Sequence, residues 1–453
     1  MCSRTRKIQA GLSLFAATVV LSVASCLAQQ PEASSQEGPI ITLDEAIHRA
    51  QANEPAFAAS VAESKAAGLD RSIARATLLP GAVYHNQALY TQPNGEQNQA
   101  GQGVGSQPSP RFIANNAVRE YASQAVVNET VGLAQMAEVK RADAAAVFAE
   151  AQLEVARRGL VEAVVNLYYS SLAADQKLTV AKRATTEADT FAGLTKKREA
   201  AREAAHADVI KAQLEQLQRQ RDVTDASIAA KKAKLELAVL LFPDPRTPYK
   251  LQTSPNVPDV PTRAAVEAAA TSNNPDLRSA MAALKQNDAE VLAARAAYLP
   301  DLGLNFTYGI DAPQFAVNGP DGVRNLGYSG SVTLDIPVWD WLSTQHKVKQ
   351  SEIRRDAARV ALTAAQKRLI ANLEEAYSEA TTAHDQLASL NQSVETAAES
   401  LRLTKLRYTG GEATVLEVVD AQNALTSAEN AREDGAVRYQ AALANLQTLT
   451  GTL

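Results

Sequence analysis

Two hydrophobic periods divide this chain. Leu302, Leu304, Phe306, Tyr308 and Ile310 alternate with Gly303, Asn305, Thr307 and Gly309. A second run, Leu326 to Ile336, sets Leu326, Tyr328, Val332, Leu334 and Ile336 against Gly327, Ser329, Ser331, Thr333 and Asp335. A period of two is that of a strand. Each run has about the ~10 residues of a tilted transmembrane strand, apolar on one face and small or polar on the other. With the loop between them they predict a hairpin over about 301–337. Elsewhere the period is helical. Leu373, Ala376, Ala380, Ala383, Leu387, Leu390, Val394, Ala397 and Leu401 step by three and four, a coiled-coil seam whose small Ala knobs let helices approach closely. No proline lies between Pro110 and Pro243, or after Pro337, to break these helices. A helix from Val131 to Arg198 would be on the order of 100 Å long and must protrude as a shaft.

The pattern occurs twice. A helix opening at Pro55 and stopped by Leu79-Pro80 has a counterpart opening at Pro275 and stopped by Leu299-Pro300, displaced by 220 residues at both ends. Further on, Leu194 to Arg198 resembles Leu403 to Arg407, and Val209 to Gln213 resembles Val418 to Gln422, both displaced by 209. Such agreement marks an internal repeat. The expected organisation is a first repeat over 29–242, a linker over 243–262 rich in proline (Pro243 to Pro261), and a second repeat over 263–453. By the repeat, a first hairpin spans about 81–129, with strands near Gly81 to Thr91 and Arg119 to Glu129 and a polar loop Gln92 to Pro110. Alternation is weaker there, although Tyr84, Tyr90 and Tyr121 suit membrane interfaces.

Residues 1–28 have the form of an export signal: Arg4, Arg6 and Lys7, then the apolar run Leu12 to Val23, then small residues. Two processing routes are open: cleavage after Ala28, or lipidation at Cys26, since Val23-Ala24-Ser25-Cys26 resembles a bacterial lipoprotein site. Cys2 and Cys26 are the only cysteines, so the mature chain has no disulfide framework. No later segment offers the ~20 apolar residues of a spanning helix. Entry into a membrane would therefore require a closed β-barrel.

The remaining composition mainly excludes. The net charge is −5 with both signs interspersed, which argues against a nucleic-acid partner. The five histidines are scattered singly, without the spacing of metal ligands. Gly101, Gly103 and Gly105 lie among Gln, Ser and Pro without a flanking strand and helix, and read as a flexible loop rather than a phosphate loop. With no nucleophile and base constellation, no enzyme activity and no cofactor is expected.

One stretch breaks the last long helical pattern: Tyr408 to Gln422. Gly410 and Gly411 accept the positive φ that ends a helix, and Glu412 or Thr414 can cap the next one. The segment predicts a helical hairpin tip. Just inside it, Glu417 and Asp420 stand at i and i+3, on one face of the returning helix.

Four strands cannot close a barrel, because the smallest single-chain barrels have about eight. Three copies would supply a 12-stranded barrel with a coiled-coil tube below it. The repeat, the Leu-Pro-to-strand junctions, the strand end Leu334-Asp-Ile-Pro-Val-Trp-Asp340 and the tip Tyr408 to Gln422 together resemble the TolC-like outer membrane efflux proteins. The resemblance covers nearly all of the mature chain. It implies an α+β channel-tunnel: a homotrimer with its β-barrel in outer membrane lipid and its α-barrel crossing the periplasm. It further implies docking to a periplasmic adaptor and an inner-membrane pump. By the same resemblance Tyr408 falls on the gate tyrosine, Glu417 and Asp420 on the acidic positions of the constriction, and Gly410, Gly411, Glu412 and Thr414 on the adaptor-docking tip. Ala413 stands where the family's type member has a gate arginine, so closure must rest on other contacts. The alternative is a periplasmic coiled-coil adaptor or scaffold without a barrel.

Overall fold

The computed structural model describes residues 38–90, 119–252, 258–319 and 322–452. The expected export signal with Cys26, and the loop Gln92 to Pro110, lie outside these residues. The first repeat contains β1 (Ile40–Ile41), α1 (Leu43–Asn53), α2 (Pro55–Ala76), β2 (Gly81–Tyr90), β3 (Arg119–Gly132), α3 (Leu133–Ala200) and α4 (His206–Leu241). The second contains β4 (Lys250–Leu251), α5 (Arg263–Asn273), α6 (Pro275–Ala296), β5 (Asp301–Ala312), β6 (Leu326–Asp335), α7 (Ser343–Thr409) and α8 (Val415–Thr450).

Helix starts follow from local chemistry. Proline occupies the first turn of α2 and of α6, where its missing N–H costs nothing. The preceding residues, Glu54 and Asn274, accept hydrogen bonds from Ala56 and Leu277 N–H. Both helices end at the turn before Pro80 or Pro300, and a strand begins at once.

The four long strands form one antiparallel sheet in the order β2-β3-β5-β6. Its register puts Leu304 opposite Val332, and Asn305 between Asn128 and Ser331. One face therefore carries Leu302, Leu304, Phe306 and Val332, and the other Asn305, Thr307, Ser329 and Ser331. The polar face is laced across strands: Asn305 donates to Asn128 at 2.6 Å, and Gln124 to Asp311 at 3.1 Å. The first hairpin obeys the same alternation, with His85, Gln124 and Gly309 aligned on that face. β3 continues three residues past the expected Glu129. Val131, expected to open the helix, pairs with Leu302 instead, and the helix starts at Leu133 after Gly132.

Below the sheet, α2 packs on α3, α3 on α6, and α6 on α7, which repeats the strand order. Further down, α4 packs on α3, α3 on α8 and α8 on α7. α3 and α7 have 68 and 67 residues, each about 100 Å of shaft. Ala376, Ala380, Ala383 and Leu401 of the expected seam are buried. A belt midway along the shaft ties the connecting segments down. There Tyr168 donates to the carbonyls of Ile41 and Gln252, and burial pushes its phenol up to about 12. Ile41, Leu237 and Leu241 fill the core of this belt.

Among the described residues, both sides of this wall end in unpartnered elements. β2 and β6 are the open edges of the sheet. α4 exposes Ile210, Leu214, Leu217, Ile228, Leu235 and Val239, spaced as one helical stripe, while α7 exposes Ile353, Val360 and Ile370. No described helix is long and apolar enough to cross a membrane.

Candidate functional site

The shaft ends in two hairpin turns, α3 to α4 and α7 to α8. They are built alike. Gly410, Gly411 and Glu412 donate to the carbonyls of Leu406, Tyr408 and Arg407; Ala201, Arg202 and Glu203 donate to those of Lys197, Glu199 and Arg198. Only Gly411 adopts the left-handed conformation, at φ 82°. Gly410 lies in the ordinary helical region at φ −76°, which corrects the expectation that both glycines are needed for positive φ. Arg202 fills the equivalent left-handed position in the first turn, at φ 64°. A side chain there costs roughly 1–2 kcal/mol.

The second turn is better capped. Of the two candidates, Thr414 is the N-cap of α8: its hydroxyl accepts from Glu417 N–H at 3.3 Å, and its own N–H donates to Glu417 Oε1 at 3.1 Å, a reciprocal capping box. Glu412 caps with no side-chain bond; besides its N–H, its carbonyl accepts from Arg407 Nη2 at 3.2 Å. The first turn has Ala205 at this position and no side-chain cap. Instead the Glu199 carboxylate and His206 Nδ1 stand 2.7 Å apart across it.

Glu417 and Asp420 share a helix face but not an environment. The carboxylate of Glu417 is engaged by the cap and stands 3.4 Å from Arg407 Nη1. The hydrogen bond from Thr414 N–H, followed by that from its hydroxyl and the charge of Arg407, holds its pKa below the ordinary 4.5. Asp420 is exposed one turn further on. Tyr408 points the other way, into the seam between the two hairpins, and is only 5% exposed. Its ring packs edge-on against Phe191 at 5.1 Å, and the guanidinium of Arg198 lies over it, 4.8 Å from the centroid. Arg198 also donates to the Tyr408 carbonyl, and the Tyr408 hydroxyl is 3.4 Å from Thr195 Oγ1. Val415, Val418, Ala421 and Leu425 complete this apolar cluster, with Ala212 from α4.

Above it the hairpins are cross-linked by charge: Lys405 with Glu187 at 3.1 Å, Arg183 with the buried Glu429, and Lys177 with Asp434 at 2.5 Å. Arg219 bonds Asn423 as well as Glu215 and Asp222 of its own helix. Here α4 and α8 flank α3 and leave a groove of about 680 Å³, floored by Ser170, Ala173, Ala174 and Ala181. Sequence reading did not single out Phe191, Thr195, Arg198 or Arg219 as functional. The repeat aligns Arg198 with Arg407, but a repeat cannot tell which of two arginines meets the tyrosine of the other copy. Among the described residues no group of three or more His, Cys, Asp or Glu is arranged to hold a metal ion.

Residues 268–452 match the family described as outer membrane efflux protein. Outer membrane protein OprJ of Pseudomonas aeruginosa is 27% identical over 172 residues, 38% of this chain and 36% of that one. Protein CyaE of Bordetella pertussis is 29% identical over 223 residues, 47% of each chain. The matched stretches thus span less than half of either relative. The fold extends further. The CmeC outer membrane channel of Campylobacter jejuni superposes with a TM-score of 0.76 at 15% identity, over 90% of this chain and 85% of that one. The MtrE outer membrane channel of Neisseria gonorrhoeae, in its open state, gives 0.71 at 20% identity, over 90% and 88%. The second repeat thus matches the outer membrane efflux protein family, and the chain as a whole has the fold of these outer membrane channels.

Proposed function

We propose that the protein is the outer-membrane channel-tunnel of a tripartite efflux or secretion system. It acts as a passive duct for substrates delivered by an inner-membrane pump through a periplasmic adaptor. The observation that carries this reading is the coincidence of two open edges. The sheet order β2-β3-β5-β6 and the helix order α2-α3-α6-α7 run in parallel, and each ends in unpartnered elements on the same two sides of the wall. In lipid an open strand edge leaves its backbone groups unsatisfied. Cyclic closure, β6 of one copy against β2 of the next, satisfies them all. The same rotation brings α7 of one copy against the exposed Leu69 and Ile73 of α2 and the apolar stripe of α4 of its neighbour.

Three copies give twelve strands, with Asn305, Thr307, Ser329 and Ser331 lining the bore and Leu304 and Val332 facing lipid. The tip formed by Gly410, Gly411, Glu412 and Thr414, with the groove over α3, offers small-residue surface to an adaptor's helical hairpin. Tyr408 serves closure as a clasp between hairpins, with Arg198 in the part that Ala413 cannot play. Glu417 and Asp420 face the axis. A coiled-coil scaffold has no use for an exposed apolar strand face, which disfavours that alternative. Reconstitution into planar bilayers tests the reading. Discrete single-channel conductance is the expected result, and purified protein that leaves the bilayer silent would count against it.

A further inference from the structure

Between β6 and α7 the chain makes a short turn with unusual features. Ile336, Val338, Trp339 and Trp341 are 61%, 87%, 68% and 83% exposed, an apolar cluster at the foot of the sheet. The turn is nonetheless rigidly built. Trp341 and Leu342 both adopt left-handed backbone, at φ 55° and 66°, which bulky residues avoid unless their surroundings impose it. Asp340, the only charge between Asp335 and Lys347, is spent inside the turn: its carboxylate accepts from Thr344 N–H at 2.6 Å, and its carbonyl from Ser343 N–H. The two indoles pack against each other edge-on at 5.8 Å. What the turn presents outward is two aromatic rings packed on each other, with the one carboxylate between them, that of Asp340, tied back to the turn's own Thr344 N–H.

Its place in the fold says what covers it. The cluster continues the exposed apolar face of β6, Val332 and Leu334, by one more turn of chain. At the same end of the sheet the α2–β2 and α6–β5 junctions expose Leu79 and Tyr298. Toward the other end of β5 and β6, Tyr308 and Tyr328 are cross-strand partners. From Tyr328 to Ile336 the strand climbs about 20 Å along a barrel axis at the usual tilt, near the ~25 Å of an outer-membrane apolar band. Indole, apolar in body with one N–H donor, is the side chain best suited to the boundary between hydrocarbon and headgroups.

We infer that Trp339 and Trp341 form a rigid anchor that seats in the glycerol and headgroup zone of the phospholipid leaflet facing the periplasm, fixing the depth at which barrel gives way to shaft. The inference rests on the channel reading above. The rings are the only two tryptophans of the chain, so its intrinsic emission reports this turn alone. The test is emission from the full chain, reconstituted in phosphatidylcholine vesicles brominated either near the glycerol end or near the methyl end of the acyl chains. Blue-shifted emission is expected, with a larger loss of intensity for bromine near the glycerol end. Trp339→Phe and Trp341→Phe variants, each leaving one reporter, should both show it. Blue-shifted emission indifferent to bromine would mean the rings are buried between copies. Red-shifted emission indifferent to bromine would mean they stand in water. Either result overturns the anchor. Conductance of the same vesicles separates the two failures: a conducting but unquenched preparation rejects the anchor and leaves the channel, whereas a non-conducting one rejects both.

Discussion

The guanidinium of Arg198 covers the ring of Tyr408 and donates to the Tyr408 carbonyl, so one side chain of the first hairpin holds both ends of a residue in the second. Tyr408 closes the last turn of α7, and its carbonyl also accepts from Gly411 N–H. Pulling the hairpins apart at the tip must therefore break this contact. A largely desolvated cation–π pair is worth up to about 2 kcal/mol. Arg198→Ala should raise leakage through the resting channel, measured as uptake of a large antibiotic by cells producing the variant. Uptake equal to the parent's would mean that the hairpins do not part here. Tyr408→Phe should matter much less, because its hydroxyl reaches Thr195 only at 3.4 Å, the outer limit of a hydrogen bond.

Asp420 and Glu417 should separate in their effects. Three copies of Asp420 converging on a narrow axis reinforce each other's field and offer oxygen to hard cations. Asp420→Ala should weaken cation selectivity and block by multivalent cations in bilayers while leaving thermal stability of the assembly unchanged. Undiminished block in that variant would return Asp420 to an ordinary solvated helix face.

Glu417 is first a capping residue. Its carboxyl is depressed in the folded chain, so its contribution is present above the ordinary 4.5 and fades as pH falls through the lower folded value. Amide protection at Val415 to Val418, exchange measured against the intrinsic rate at the same pH, should fall on acidification below that point, and Thr414→Ala, which removes the partner at a cost of about 1 kcal/mol, should lower it at neutral pH. The uncapped first turn around Ala205 should show no such dependence on Thr414. Equal exchange in parent and variant would mean that the capping box does not hold this end.

The two faces of the sheet should respond oppositely. Leu304 and Val332 are cross-strand partners on one face, Asn305 and Ser331 on the other. Arg at Leu304 or Val332 should cost roughly 2–4 kcal/mol near the bilayer midplane and reduce assembled protein in outer-membrane fractions. Arg at Asn305 or Ser331 should assemble and change conductance. Indifference to the face substituted would remove the strands from the membrane.

Most of this architecture was legible because two periods and a repeat say the same thing. The alternation from Leu302 fixed β5, and Leu299-Pro300 fixed where α6 stops. The β3 end was harder: Glu129-Thr130-Val131 has no breaker before Gly132, and only pairing with Asp301 to Leu304 carries the strand through it. The tip was found from its Gly pair, yet one glycine sufficed, since a left-handed residue is needed once per turn and Arg202 manages it without glycine. The Arg198–Tyr408 clasp was illegible in sequence because the two residues are 210 positions apart and meet only through packing between repeats.

The number of copies in the assembly bears most directly on the central claim, that a four-stranded wall with two open edges closes on itself. Mass measurement of the detergent-solubilised particle, with the detergent contribution subtracted, reads that number. The account predicts three chains that stay together in mild detergent. It also predicts that Leu214→Asp, a charge placed on the exposed stripe of α4, shifts the particle toward single chains. A stable monomer of the parent protein, conducting or not, would contradict it.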